Sequence, residues 1–155
     1  ELVNHPINDW LTWGAFSYPL SFLVTDITNR LFNAQAARRV VYIGFSLGVV
    51  LSLIIDTRIA IASGSAFLIA QLLDIYVFNK LRSLAWWKAP LASSVIGSAI
   101  DTALFFTIAF IYSDLPWITW AMGDFSAKLF MAASLLPIFR ILVNYYPTSL
   151  KIAKI

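Results

Sequence analysis

Asp26, Asp74, Asp101 and Asp124 lie inside long apolar stretches of a 155-residue chain that is 60% hydrophobic and only 12% charged. A carboxylate at the centre of a bilayer costs roughly 2.5–3.5 kcal/mol on insertion scales, so four uncompensated ones would cost on the order of 10 kcal/mol. Such groups face a bundle interior or a wet cavity, where they take up protons, pair with bases or meet the donors of a polar solute. The chemistry they suggest is recognition and passage. Signals for bond-breaking chemistry are missing: the one histidine, His5, stands outside the apolar runs, there is no cysteine, and no H-E-x-x-H, G-x-S-x-G or P-loop pattern occurs. An enzyme is not expected, nor a cofactor. The four acids could in principle hold a hard cation, but Arg30, Arg58 and Lys128 fall among the same helices and balance them, so no metal site is assigned.

Spacing sorts the polar residues onto faces. Phe22, Asp26 and Arg30 recur every fourth residue, which puts the carboxylate one turn from the guanidinium. That pair reads equally as a structural lock and as a substrate contact. Ser63, Phe67, Gln71, Asp74 and Phe78 form a polar and aromatic stripe on a segment otherwise covered in Ile, Leu and Ala. Gln71 and Asp74 together offer an amide and a carboxylate to a ligand with adjacent donors and acceptors, although Gln and Ser also bond helix to helix in membrane bundles. Ser94, Gly97, Ser98, Asp101 and Phe105 share another face, with no base within a turn of Asp101. Asp101 must therefore pair across helices, bind a ligand donor or stay protonated, and of the four acids it is the one best suited to carry a proton. Asp124 and Lys128 repeat the spacing of Asp26 and Arg30, with Trp120 one turn earlier.

The elements that must position these groups are membrane helices. Mean hydropathy of +0.79 and 15% aromatic residues are too apolar for a soluble domain. The pattern predicts one all-α transmembrane domain over 1–155, a polytopic bundle with helices at about 17–33, 39–55, 57–80, 90–112 and 117–144, and Pro19 in the first turn of the first. The net charge of +3 is topology information, with no nucleic-acid partner expected: Arg38 and Arg39, then Lys80, Arg82 and Lys88, then Lys151 and Lys154 mark the cytoplasmic loops and tail. That assignment leaves Glu1 outside, so a sixth helix is expected upstream. Trp10, Trp13, Trp117 and Trp120 read as one interfacial belt, and Trp86, Trp87, Tyr145 and Tyr146 as the other. Ile55, Asp56 and Thr57 join two spans with hardly a turn residue between them, so a segment is expected to be missing at 55–57. A faint echo between Asp26-Ile27 and Asp74-Ile75, each followed by a Phe-Asn pair, has unequal offsets and is assigned to chance.

Thr12-Trp13-Gly14-Ala15-Phe16-Ser17, Thr25-Asp26-Ile27-Thr28-Asn29-Arg30, Ala37-Arg38-Arg39, Arg58-Ile59-Ala60, Gln71-Leu72-Leu73-Asp74 and Val77-Phe78-Asn79 resemble the queuosine precursor transporter family. Trp86-Trp87, Ser98-Ala99-Ile100-Asp101-Thr102 and Phe105-Phe106 extend the resemblance, and Asp124 and Lys128 match more loosely. It implies six-helix, multi-pass proteins of the bacterial inner membrane, grouped with vitamin uptake transporters. Such proteins import 7-cyano-7-deazaguanine, and sometimes the 7-aminomethyl compound, for tRNA queuosine synthesis. The family's first helix is absent from this sequence, and the 55–57 region is shortened. On this reading Asp26, Gln71, Asp74 and Asp101 are the ligand candidates, with Asp124 beside them. Arg30, Arg58 and Lys128 balance charge or receive the carbonyl, and Phe22, Phe67 and Phe105 stack on the ring. Import would proceed by facilitated or proton-coupled alternating access. The alternative is a substrate-binding subunit of an energy-coupling-factor-type vitamin importer. Expected partners are a small deazapurine and the lipid bilayer, with an oligomer allowed.

Overall fold

A computed structural model of the chain describes residues 6–8, 11–12, 14–52 and 57–146. Five helices make up the body: α1 (Gly14–Leu31), α2 (Ala34–Ser52), α3 (Thr57–Leu81), α4 (Lys88–Phe110) and α5 (Trp117–Tyr145). Ahead of them a minimal antiparallel ladder joins β1 (Pro6–Asn8) to β2 (Leu11–Thr12), with Pro6 opposite Thr12. The junction at 53–56, together with His5, Trp10, Trp13 and the basic tail, lies outside the described residues.

Local chemistry explains where the helices begin. Asn33 accepts a hydrogen bond at its Oδ1 from the Ala36 amide (2.8 Å), a side-chain cap that starts α2 at Ala34, well before the expected residue 39. Helix α1 starts at Gly14 instead of Ser17, which leaves Pro19 inside the helix and not in its first turn. The proline therefore withholds a donor from the Ala15 carbonyl. Helix α4 opens at Lys88 with Pro90 in its first turn, where a missing N–H costs little. Pro137 lies within α5, as its position in the sequence requires.

The distribution of residue types is inverted relative to a soluble protein. Asp26, Asp74, Asp101, Asp124, Lys128, Gln71 and Asn29 are buried, whereas Ile43, Leu47, Val50, Phe130 and Ile141 are exposed, each by 60% or more. Charges inside and aliphatic side chains outside suit a hydrocarbon solvent, and the molecule is a helical membrane bundle. Among the described residues α3, α4 and α5 are long and apolar enough to cross a bilayer by themselves. Helices α1 and α2, at 18 and 19 residues, carry Asp26 and Arg30, and Arg38 and Arg39, respectively.

Small side chains set the closest packing. Ala62, Ala66 and Ala70 repeat at four-residue intervals along α3 and are fully buried where α3 meets α4. Gly97 of α4 is required at this contact. A Cβ built there would stand 2.8 Å from the Phe22 ring and 3.4 Å from the Ala70 carbonyl oxygen. Two further clusters pack Ala37, Val41 and Ile75 between α2 and α3, and Phe78, Ala89 and Phe139 where α3, α4 and α5 join.

Candidate functional site

The stripe on α3 faces a matching stripe on α1, and the two helices run in the same direction. Tyr18 bonds through its hydroxyl to Ser63 (2.5 Å), Gln71 accepts from Thr25 (2.7 Å) and donates to Ser21 (2.7 Å), and Asn29 donates to the Ile75 carbonyl (3.3 Å). A polar seam thus follows the full length of the α1–α3 contact. Tyr18, Ser21, Thr25 and Asn29 were not singled out from the sequence, although their spacing of three, four and four residues puts them on one face.

Part-way along the seam, Asp26 and Asp74 come within hydrogen-bonding reach of each other. Ser93 and Ser94 of α4 direct hydroxyls at the two Asp26 oxygens, at 3.2 and 3.4 Å, and the Ser93 hydroxyl also reaches the Pro90 carbonyl. Asp74 is fully buried, with the Ser93 hydroxyl and Asp26 as its polar neighbours. The expected pairing of Asp26 with Arg30 does not form. Arg30 is in the last turn of α1, and its long side chain reaches past the helix end, where Nη1 donates to the Arg82 carbonyl (3.0 Å). Arg82 returns the bond from Nη2 to the Arg30 carbonyl (2.8 Å), so each guanidinium satisfies a carbonyl at the end of the other's helix. Burial, and then the Arg30 charge beside it, lowers the pKa of Arg82 from its ordinary value.

Asp101 and Asp124 belong to a second cluster, centred on Lys128. The ammonium lies 2.8 Å from Asp101 Oδ2 and 2.5 Å from Asp124 Oδ2, and all three residues are at most 3% exposed. Thr102 donates to Asp124 (2.7 Å) and accepts from Lys128 (3.2 Å). Of the three fates open to Asp101, pairing across helices is the one realised, because α5 brings Lys128 to the face on which α4 carries the acid. The Lys128 ammonium also stands over the Tyr18 ring, 5.3 Å from its centroid.

Tyr18 links these charges to a cavity of about 760 Å³ between α1, α2 and α3. Its walls include Tyr18, Phe45 and Phe67, its hydroxyls include those of Ser17, Ser21 and Ser63, and Gly44 and Gly48 line one side. The volume falls within the range of small-molecule sites. Of the anticipated residues only Phe67 lines it directly, and Gln71 contacts it through Ser21. Phe22 is instead packed against Gly97, beside a second cavity of about 20 Å³ that includes Asp26, Ser94 and Ser98. Phe105 belongs to an aromatic cluster with Phe106 and Phe110, and Arg58 donates from Nε to the Ile108 carbonyl and lies over the Tyr112 ring. Neither reaches the cavity. No group of three or more metal-ligating side chains occurs among the described residues.

Buried acids, a buried lysine and a cavity of ligand size inside an inverted helical bundle mark a polytopic membrane protein. The chain belongs to the family described as "putative vitamin uptake transporter", which it matches over residues 12–57 and 53–142, in two pieces that meet at the α2–α3 junction. Among curated proteins it is 35% identical to one from Haemophilus influenzae named "probable queuosine precursor transporter", over 86% of this chain and 68% of the relative. It is also 35% identical to the Escherichia coli "queuosine precursor transporter", over 86% of this chain and 73% of that protein. A Bacillus subtilis "probable queuosine precursor transporter" is 24% identical over 81% of this chain and 69% of its own length. No solved structure matches the chain.

Proposed function

We propose that this protein imports a queuosine precursor, 7-cyano-7-deazaguanine or its 7-aminomethyl relative, through the bacterial inner membrane by alternating access. The observation that carries the reading is the cavity of about 760 Å³ with hydroxyls and aromatic rings at one end, in a chain related to transporters named for that cargo. A deazaguanine is flat and presents a ring N–H, an exocyclic amine and a carbonyl. Tyr18 and Phe67 offer aromatic surface, while Ser21, Ser63 and the Gln71 amide behind them offer donors and acceptors. Lys128, over the Tyr18 ring, brings the cluster it forms with Asp101 and Asp124 next to this cavity. On this reading α1 and α2 span the bilayer together with α3, α4 and α5.

Purified protein reconstituted alone into liposomes tests the proposal. Saturable uptake of labelled 7-cyano-7-deazaguanine, competed by the unlabelled base but not by adenine, is expected. Saturable binding without uptake would instead identify a substrate-binding subunit that depends on an ATPase module, and absence of both would dismiss the deazapurine reading.

A further inference from the structure

Two carboxyl groups, Asp26 and Asp74, share one buried site that holds no base. They lie within hydrogen-bonding reach of each other, at 2% and 0% exposure. Among the described residues no element packed around them brings a compensating cation to the pair. On α1, Arg30 is turned away to the Arg82 carbonyl. Helix α2 presents Ala37 and Val41 to α3 and leaves Arg38 and Arg39 exposed. Helix α4 contributes the hydroxyls of Ser93 and Ser94, while its own acid, Asp101, is paired with Lys128. From α5 the nearby cavity wall is Ala132, Leu135, Leu136 and Phe139.

The two acids are not equivalent. Asp26 receives a hydroxyl at each oxygen, which suits an ionised carboxylate, an acceptor only. Asp74 is approached by the same Ser93 hydroxyl and by Asp26 itself. One proton held between the two carboxyls supplies the missing donor and removes one of two facing charges. Two carboxyls that share one proton are a known solution for like charges in contact.

We propose that Asp26 and Asp74 form a one-proton site, the proton held between the two carboxyls, and that its uptake and release couples import to the proton gradient. The site is separate from the Lys128 cluster, where one cation lies between two carboxyl groups. It also adjoins the cavity of about 20 Å³ that Asp26 and Ser94 share, large enough for one water and so for one step of proton delivery. Coupling rests on the import reading above; occupancy of the site by a proton does not.

Two measurements separate these. Infrared spectra of the purified protein at neutral pH should show the carbonyl stretch of a protonated carboxylic acid, lost in Asp74→Asn and retained in Asp101→Asn. A wild-type spectrum without that band overturns the proposal with no variant needed. In proteoliposomes with labelled 7-cyano-7-deazaguanine, a gradient of one pH unit, acid outside, should drive up to about tenfold accumulation if one proton accompanies each substrate. Asp74→Asn should bring that ratio to about 1 while substrate exchange across the membrane persists, as expected once the energetic link is cut. Accumulation that survives Asp74→Asn, or that follows a sodium gradient and ignores pH, overturns the coupling role. The band without any deazapurine transport would leave the proton site standing and remove the import reading.

Discussion

Replacing Lys128 by Met withdraws the cation from between Asp101 and Asp124 and leaves two carboxylates facing each other at 2% exposure each. Methionine fills much of the same volume, so the expected loss is electrostatic and not a cavity. Removing one partner from a buried ion pair costs about 3–5 kcal/mol, because the abandoned charge has neither water nor counter-ion. Thr102 mitigates little: its hydroxyl already donates to Asp124, and Asp101 Oδ1 has no partner even with the lysine in place. For a domain of this size each kcal/mol shifts the melting temperature by roughly 2–4 °C, so a fall of about 6–20 °C is expected. Thermal unfolding in detergent, followed by tryptophan fluorescence, measures it. The diagnostic comparison is Lys128→Met combined with Asp101→Asn and Asp124→Asn, which removes all three charges and should recover most of the lost stability. If Lys128→Met melts within about 2 °C of wild type, or if the triple variant is no more stable than the single one, the three groups do not form a dry electrostatic unit.

Gly97→Ala should destabilise the α1–α3–α4 contact by about 1–3 kcal/mol, since its Cβ would meet the Phe22 ring at 2.8 Å, and Phe22→Leu in the same protein should restore part of the loss in thermal unfolding. Gly48→Phe should abolish uptake with little change in melting temperature: a Cβ there meets nothing within 4 Å, and the ring would enter the cavity that the residue lines. Gln71→Leu strands the Thr25 and Ser21 hydroxyls; a stability loss of about 0.6–1.7 kcal/mol is expected, with weaker deazapurine binding by isothermal calorimetry, and unchanged affinity would remove Gln71 from the recognition path.

The helical bundle was legible because apolar run length and buried charge act within single segments. The α3 stripe was legible for the same reason: Ser63, Gln71 and Asp74 recur at helical spacing, and all three face α1. What could not be read was the choice of partner. Asp26 and Arg30 have the spacing of an ion pair, as do Asp124 and Lys128, yet only the second pair forms. The difference is position: Arg30 is at a helix end with open carbonyls in reach, whereas Lys128 is held mid-helix among acids. Asp101 lacked a base one turn away because its base is 27 residues on, on another helix. Nothing in the spacing around Tyr18 distinguishes it from the other aromatic residues; the approach of α5 makes it a contact of Lys128. Asn33 could have been recognised as a cap, which would have started α2 at Ala34.

The paired guanidinium–carbonyl bonds between Arg30 and Arg82 tie the same ends of two co-directional helices. Together with Tyr18–Ser63 near the opposite end, they fasten α1 to α3 towards both extremities, so splaying or sliding this pair would break polar contacts at each end. In the alternating-access cycle proposed above, α1 and α3 would therefore move as one body.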